Sequence, residues 1–173
     1  MRGWRSFATA VILVLFAVIE NTWLSMLSLP GAVPPITLVA VFGYSLRRTP
    51  VNAALMGFFA GSVIDLMPPS TSPLGISAFA FTAIAFSASL ARPFFEGSVL
   101  TPLLGASTAA VASLLLRIVL SVAVGANQSV LAGFIVTFFT SALYAAMLAS
   151  FVLPFTHLLD RIIAPRVQPS IYR

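Results

Sequence analysis

The chain has no cysteine, one histidine and four acids in 173 residues, and no lysine among its nine basic residues. Without cysteine there is no disulfide, thiolate or Cys-based metal chemistry. With one histidine and four acids in the whole chain, a multi-ligand metal site is not expected. Charge of either sign is scarce, at 8% of residues against about a quarter in soluble domains. Apolar residues make up 60%, and the mean hydropathy is +1.06. A soluble catalytic domain is therefore excluded. The net charge of +5 is arginine alone, and in a chain this apolar it marks topology, not nucleic-acid binding.

What the chain does have is long apolar runs. At about 20 residues per crossing of roughly 30 Å of hydrocarbon, its length allows about five to seven spans. The first run extends from Phe7 to Leu29, behind Arg2 and Arg5, and ends at Leu29-Pro30-Gly31. It is too long for the apolar core of a secretory signal, and no small-x-small cleavage site follows, so an uncleaved helix is expected. Two short runs follow, Ile36 to Leu46 and Val51 to Met67, separated by Arg47-Arg48-Thr49-Pro50. They read as a pair of short helices or, in part, a re-entrant hairpin. The fourth run is Leu74 to Ala91, the fifth Val99 to Val124, and the sixth Val130 to Leu153, ended by Pro154. The expectation is an all-α bundle of six transmembrane helices in one domain, residues 1–160. The stretch Phe155 to Arg173 reads as an interfacial helix that soon frays at Pro165 and Pro169, with residues 161–173 as a cytoplasmic tail.

In this plan Arg2, Arg5, Arg47, Arg48, Arg92, Arg161, Arg166 and Arg173 fall on one side. The opposite loops, residues 30–35, 68–73 and 125–128, carry no charge. The positive-inside rule then places both termini in the cytoplasm.

Three ionisable residues lie within the runs: Glu20, beside Asn21, and Asp65 and Arg117. An intramembrane charge costs roughly 2.5–3.5 kcal/mol on insertion scales and faces the protein interior or a partner. By helical rise, Glu20 and Arg117 lie roughly 15 and 12 Å from the outer ends of their helices, and Asp65 about 4 Å. An ion pair between Glu20 and Arg117 is the leading expectation. Asp65 is shallow enough to reach water, or to accept hydrogen bonds from the outer loop. Three roles stand open for the group: structural pairs that fix helix register, a ligand pocket, or contact with a partner's transmembrane helix. His157, Trp4, Trp23 and Tyr44 read as interfacial or packing residues, and Phe79, Phe81 and Phe86 as lipid-facing or core.

The sharpest local pattern is Gly57-x-x-x-Gly61-x-x-x-Asp65. Steps of four drift only about 40° around a helix, so these residues form one stripe. Its glycines allow close backbone approach, and its acid is directed into the same interface. Gly75 and Ser77 open the next helix after a proline-rich turn and are placed to bring it near the third.

The stretch Gly57 to Asp65, followed by that turn and Leu74-Gly75-Ile76-Ser77-Ala78, resembles the central signature of the bacterial rod shape-determining MreD family. The chain size, the polar pair Glu20-Asn21 and the short second span are also similar, whereas the fifth and sixth helices carry no matching motif. The resemblance maps Gly57, Gly61, Asp65 and Gly75 onto the family pattern. It implies a non-enzymatic inner-membrane subunit of the cell-elongation machinery, without cofactors. Its partners would be a single-span MreC protein and, indirectly, the polymerase RodA, its transpeptidase partner and MreB filaments. A partner's helix seated at Gly57 and Gly61 is the mechanism expected. The architecture is also similar to the substrate-binding S-components of energy-coupling-factor (ECF) vitamin transporters, so a solute carrier is the alternative. Against it, the first helix lacks the Ala-x-x-x-Ala docking element of those subunits, and the outer loops are too short for a lid.

Overall fold

The computed structural model describes residues 2–24, 26, 33–68, 74–95, 100–125 and 134–163. Within them every regular element is helical. Helix α1 (Arg2–Ile19) widens into a π-type turn over Glu20–Leu24. It is followed by α2 (Ile36–Ser45), α3 (Pro50–Leu66), α4 (Ile76–Leu90), a single turn α5 (Arg92–Phe95), α6 (Leu100–Ala123) and α7 (Phe134–Ile163). The loop tip at 69–73, the link at 126–133, the end of the first run at 27–32 and the tail from 164, with Arg166 and Arg173, lie outside the described residues. Side chains of Arg2, Arg5 and Arg161 are likewise not described.

Local chemistry explains the boundaries. Pro50 sits at the first position of α3 behind an extended Thr49, where its missing N–H is no loss and its fixed φ suits the helix. Gly75 precedes α4 with φ +97°, a left-handed conformation that glycine adopts without strain. Ser45, Thr82 and Ser107 fold their hydroxyls back onto the carbonyls of Val41, Ala78 and Leu103. These bonds satisfy polar groups within their own helices.

Among the described residues, two helices, α6 over Leu100–Ala123 and α7 over Ile135–Leu159, are long and apolar enough to cross a bilayer by length and composition. The other apolar helices are shorter, at 10–17 residues. Helix α7 departs from the expected end at Pro154: it continues through that proline to Ile163. Proline removes one helical hydrogen bond and crowds the preceding turn, but apolar packing on both sides holds the helix together. Val152 and Thr156, flanking Pro154, are both buried.

The second short run is not a peripheral segment. Every residue of α2 from Thr37 to Ser45 is buried, because α1, α3, α4, α6 and α7 all pack on it. Ten residues rise about 15 Å, half the hydrocarbon thickness. Helix α2 is thus a short central post. Gly43 admits α7 at close range, since a Cβ there would lie 2.8 Å from Thr156 Oγ1. Phe42 meets Phe95 edge-on at 5.5 Å, and both rings press on Gly105 of α6. Much of the remaining core is alanine, including Ala17, Ala40, Ala53, Ala80, Ala85 and Ala145. Small residues let helices approach closely, the main source of packing stability where lipid removes the hydrophobic drive.

Many large apolar side chains point outward. Phe58, Phe79, Val119, Ile135, Phe139, Met147 and Phe151 are all exposed. An apolar exterior around a core of small and hydroxylated residues fits hydrocarbon surroundings, not water.

Candidate functional site

Helices α3 and α4 form the most extensive pair in the chain, and the glycine stripe is the reason. A Cβ built on Gly61 would collide with the Ser77 carbonyl and lie 2.5 Å from Ala78 Cα. One on Gly57 would collide with the Phe81 carbonyl and lie 2.8 Å from Ala85 Cβ. The two backbones therefore touch along the Gly57–Gly61 face. This contact is intramolecular: α4, which Gly75 was expected to bring near α3, lies on the stripe.

Asp65 completes the same interface. It is 2% exposed, and its carboxylate accepts the amides of Gly75 (2.9 Å), Ser77 (3.2 Å) and Ala78 (3.1 Å). Helix α4 has no capping side chain of its own, so the acid at the end of α3 serves as its N-cap from across the turn. Free N–H groups and the helix dipole at an N-terminus both favour negative charge. Gly75 matters here because its left-handed φ turns the chain so that three amides converge on one carboxylate.

Glu20 repeats the arrangement one layer away. Its Oε2 accepts the Thr37 amide at 2.8 Å, at the start of α2, which also lacks a side-chain cap of its own behind Pro35. Arg117 on α6, half-buried, attracts Glu20 electrostatically but is not among its hydrogen-bond partners. The expected direct pair is therefore replaced by a backbone amide held at close range and a cation acting through space. Asn21, the next residue in the π-type turn, donates its Nδ2 to the Pro68 carbonyl at 2.6 Å, tying the end of α1 to the end of α3.

The structure thus unites Glu20, Asn21 and Asp65 at one end of the bundle as links between successive helices. None of Asp65's three hydrogen bonds goes to Glu20, Asn21 or Arg117. Thr37 and Pro68 belong to the network but had no signal in sequence, because they take part through backbone atoms. The carboxylates of Glu20 and Asp65 are both held on backbone amides, so this arrangement positions helices.

At the opposite end the arginines cluster. Arg92 Nη2 and Ser89 Oγ both donate to the Arg48 carbonyl, at 2.6 and 2.7 Å. This node clamps the α2–α3 turn to the end of α4, and it too is invisible in sequence. Arg47, beside it, is exposed. Tyr44 is fully buried packing and Trp23 faces outward. In α4, Phe81 lies in the core while Phe79 and Phe86 face out.

Compared with known proteins, residues 1–162 match a family model described as rod shape-determining protein MreD. No curated protein matches, and no solved structure does.

Proposed function

This chain belongs to the MreD family of rod shape-determining proteins, and we propose that it acts there as a rigid, non-enzymatic membrane scaffold. The family has a role in determining rod shape and is associated with the membrane. The finer reading is that the chain is a multi-pass protein of the bacterial inner membrane, with six apolar segments and both termini cytoplasmic. It binds a single-span MreC-like protein and through it helps control peptidoglycan synthesis by RodA and its transpeptidase partner, alongside MreB.

One observation carries the scaffold reading. Both acids within the apolar runs are spent capping the next helix of the same chain, Glu20 on Thr37 and Asp65 on Gly75, Ser77 and Ala78. Carboxylates fixed on backbone amides lock helices in register, which is what a docking platform requires. Nothing favours the alternative of a vitamin or solute carrier, since the acids that would line an outward pocket face backbone instead. With Gly57 and Gly61 occupied by α4, the partner's helix must meet another face.

Affinity purification of the full-length chain from native membranes, followed by mass spectrometry, tests this. A single-span protein with a coiled-coil domain is expected as the main companion. A co-purifying small solute with no such protein would overturn the scaffold in favour of the carrier.

A further inference from the structure

Near the arginine node a groove of about 690 Å3 opens between α2, α6 and α7. Its floor is apolar, formed by Phe95, Leu103 and Leu153 among others, while Arg47, Arg92 and His157 stand at its rim. Among the described residues that line it there is no carboxylate. Arg92 cannot swing away, because its Nη2 is bonded to the Arg48 carbonyl. Two guanidiniums are thus concentrated where an apolar slot meets the arginine-bearing end of the bundle. That end is where headgroups lie for any chain whose other surface is buried in hydrocarbon.

We propose that this groove binds an anionic phospholipid, its phosphate held between Arg47 and Arg92 and an acyl chain lying along Leu103 and Leu153. Charge complementarity selects the occupant. Guanidinium forks match phosphate oxygens in shape and charge, and the volume lies in the range of specific small-molecule sites. A transmembrane helix fits poorly: at about 10 Å across it would fill the groove with only about 9 Å of its length. A flexible acyl chain needs no such width. The bound lipid would brace α7 against α2 where Gly43 and Thr156 meet, on the side away from the Glu20 and Asp65 caps.

The test uses the purified full-length protein in a neutral detergent and follows its melting midpoint during titration with defined lipids. Phosphatidylglycerol is expected to raise the midpoint, with half-saturation about tenfold lower than for phosphatidylcholine of the same acyl chains. Inorganic phosphate at matched concentration is expected to do nothing. Arg47→Gln, compared with its own unliganded midpoint, should bring the two lipids to equal potency. Leu103→Trp should block the groove and weaken both. Equal potency of the two lipids on the unaltered protein, an Arg47→Gln variant that keeps the preference, or stabilisation by phosphate alone would each overturn the proposal. So would a photo-crosslinker at Leu103 that captures a protein helix in native membranes and no lipid.

Discussion

The Asp65 carboxylate accepts the Gly75 amide at 2.9 Å across a separation of ten residues, so the last turn of one helix caps the first turn of the next. The end of α3 and the start of α4 thereby meet in a corner held by one side chain. An N-cap normally comes from the residue just before a helix; here it comes from the neighbour, and capping and packing become one interaction.

If the carboxylate holds that corner, Asp65→Ala leaves three amides without an acceptor in a buried site. A loss of about 2–3 kcal/mol in unfolding free energy is expected, with faster hydrogen exchange at Ser77 and Ala78. Asp65→Asn keeps one acceptor oxygen and should lose less. Unchanged exchange at those two amides in the alanine variant would show that the cap is not what orders the start of α4.

The glycines should rank in a defined order. Gly61→Ala drives a methyl into the backbone of α4 and is expected to destabilise by about 1–3 kcal/mol. Gly75→Ala meets nothing within 4 Å and should lose only the left-handed strain of about 1–2 kcal/mol. Gly57→Ala should behave like Gly61→Ala. Disulfide trapping of α3 against α4 would separate the two mechanisms: efficiency should fall for Gly57→Ala and Gly61→Ala and stay unchanged for Gly75→Ala.

For Glu20 and Arg117 the geometry sets a small coupling. Glu20→Ala alone uncaps α2 and is expected to lose about 1–3 kcal/mol. In the double-mutant cycle with Arg117→Ala, an interaction energy below about 1 kcal/mol is expected, as for a through-space attraction. A coupling as large as the full loss from Glu20→Ala would restore a direct ion pair as the main contact.

Topology can be read directly because the chain contains no cysteine. Single cysteines at Thr49→Cys and Gln128→Cys give two reporters on a silent background. With both termini inside, an impermeant maleimide should label position 128 on intact spheroplasts and position 49 only after the membrane is opened. The opposite pattern would invert the proposed orientation.

Much of this fold was legible before any coordinates. The runs expected at residues 51–67 and 99–124 became α3 (Pro50–Leu66) and α6 (Leu100–Ala123), because apolar length and proline or glycine punctuation act locally. The Gly57–Gly61–Asp65 stripe was legible for the same reason. What it touches was legible only in part: Gly75 and Ser77 pointed to α4, but small residues by themselves announce close approach without naming the neighbour. Glu20 and Asp65 were identified as interior acids, and Asp65 as reaching water or accepting hydrogen bonds from the outer loop. The particular partners, however, are backbone amides, which every residue carries and no sequence pattern singles out. The end of α7 was missed because proline is a reliable stop only where water competes for the freed carbonyl.

The enclosed position of α2 bears on how the protein is made. A ten-residue segment is too short for the insertion machinery to recognise as a crossing in its own right, and its burial depends on α6 and α7, which leave the ribosome after it. Its final seat must therefore be taken late, once the C-terminal helices arrive. A chain truncated after Leu90 should accordingly leave cysteines placed at Leu38 and Val41 open to maleimide, while the complete chain shields them.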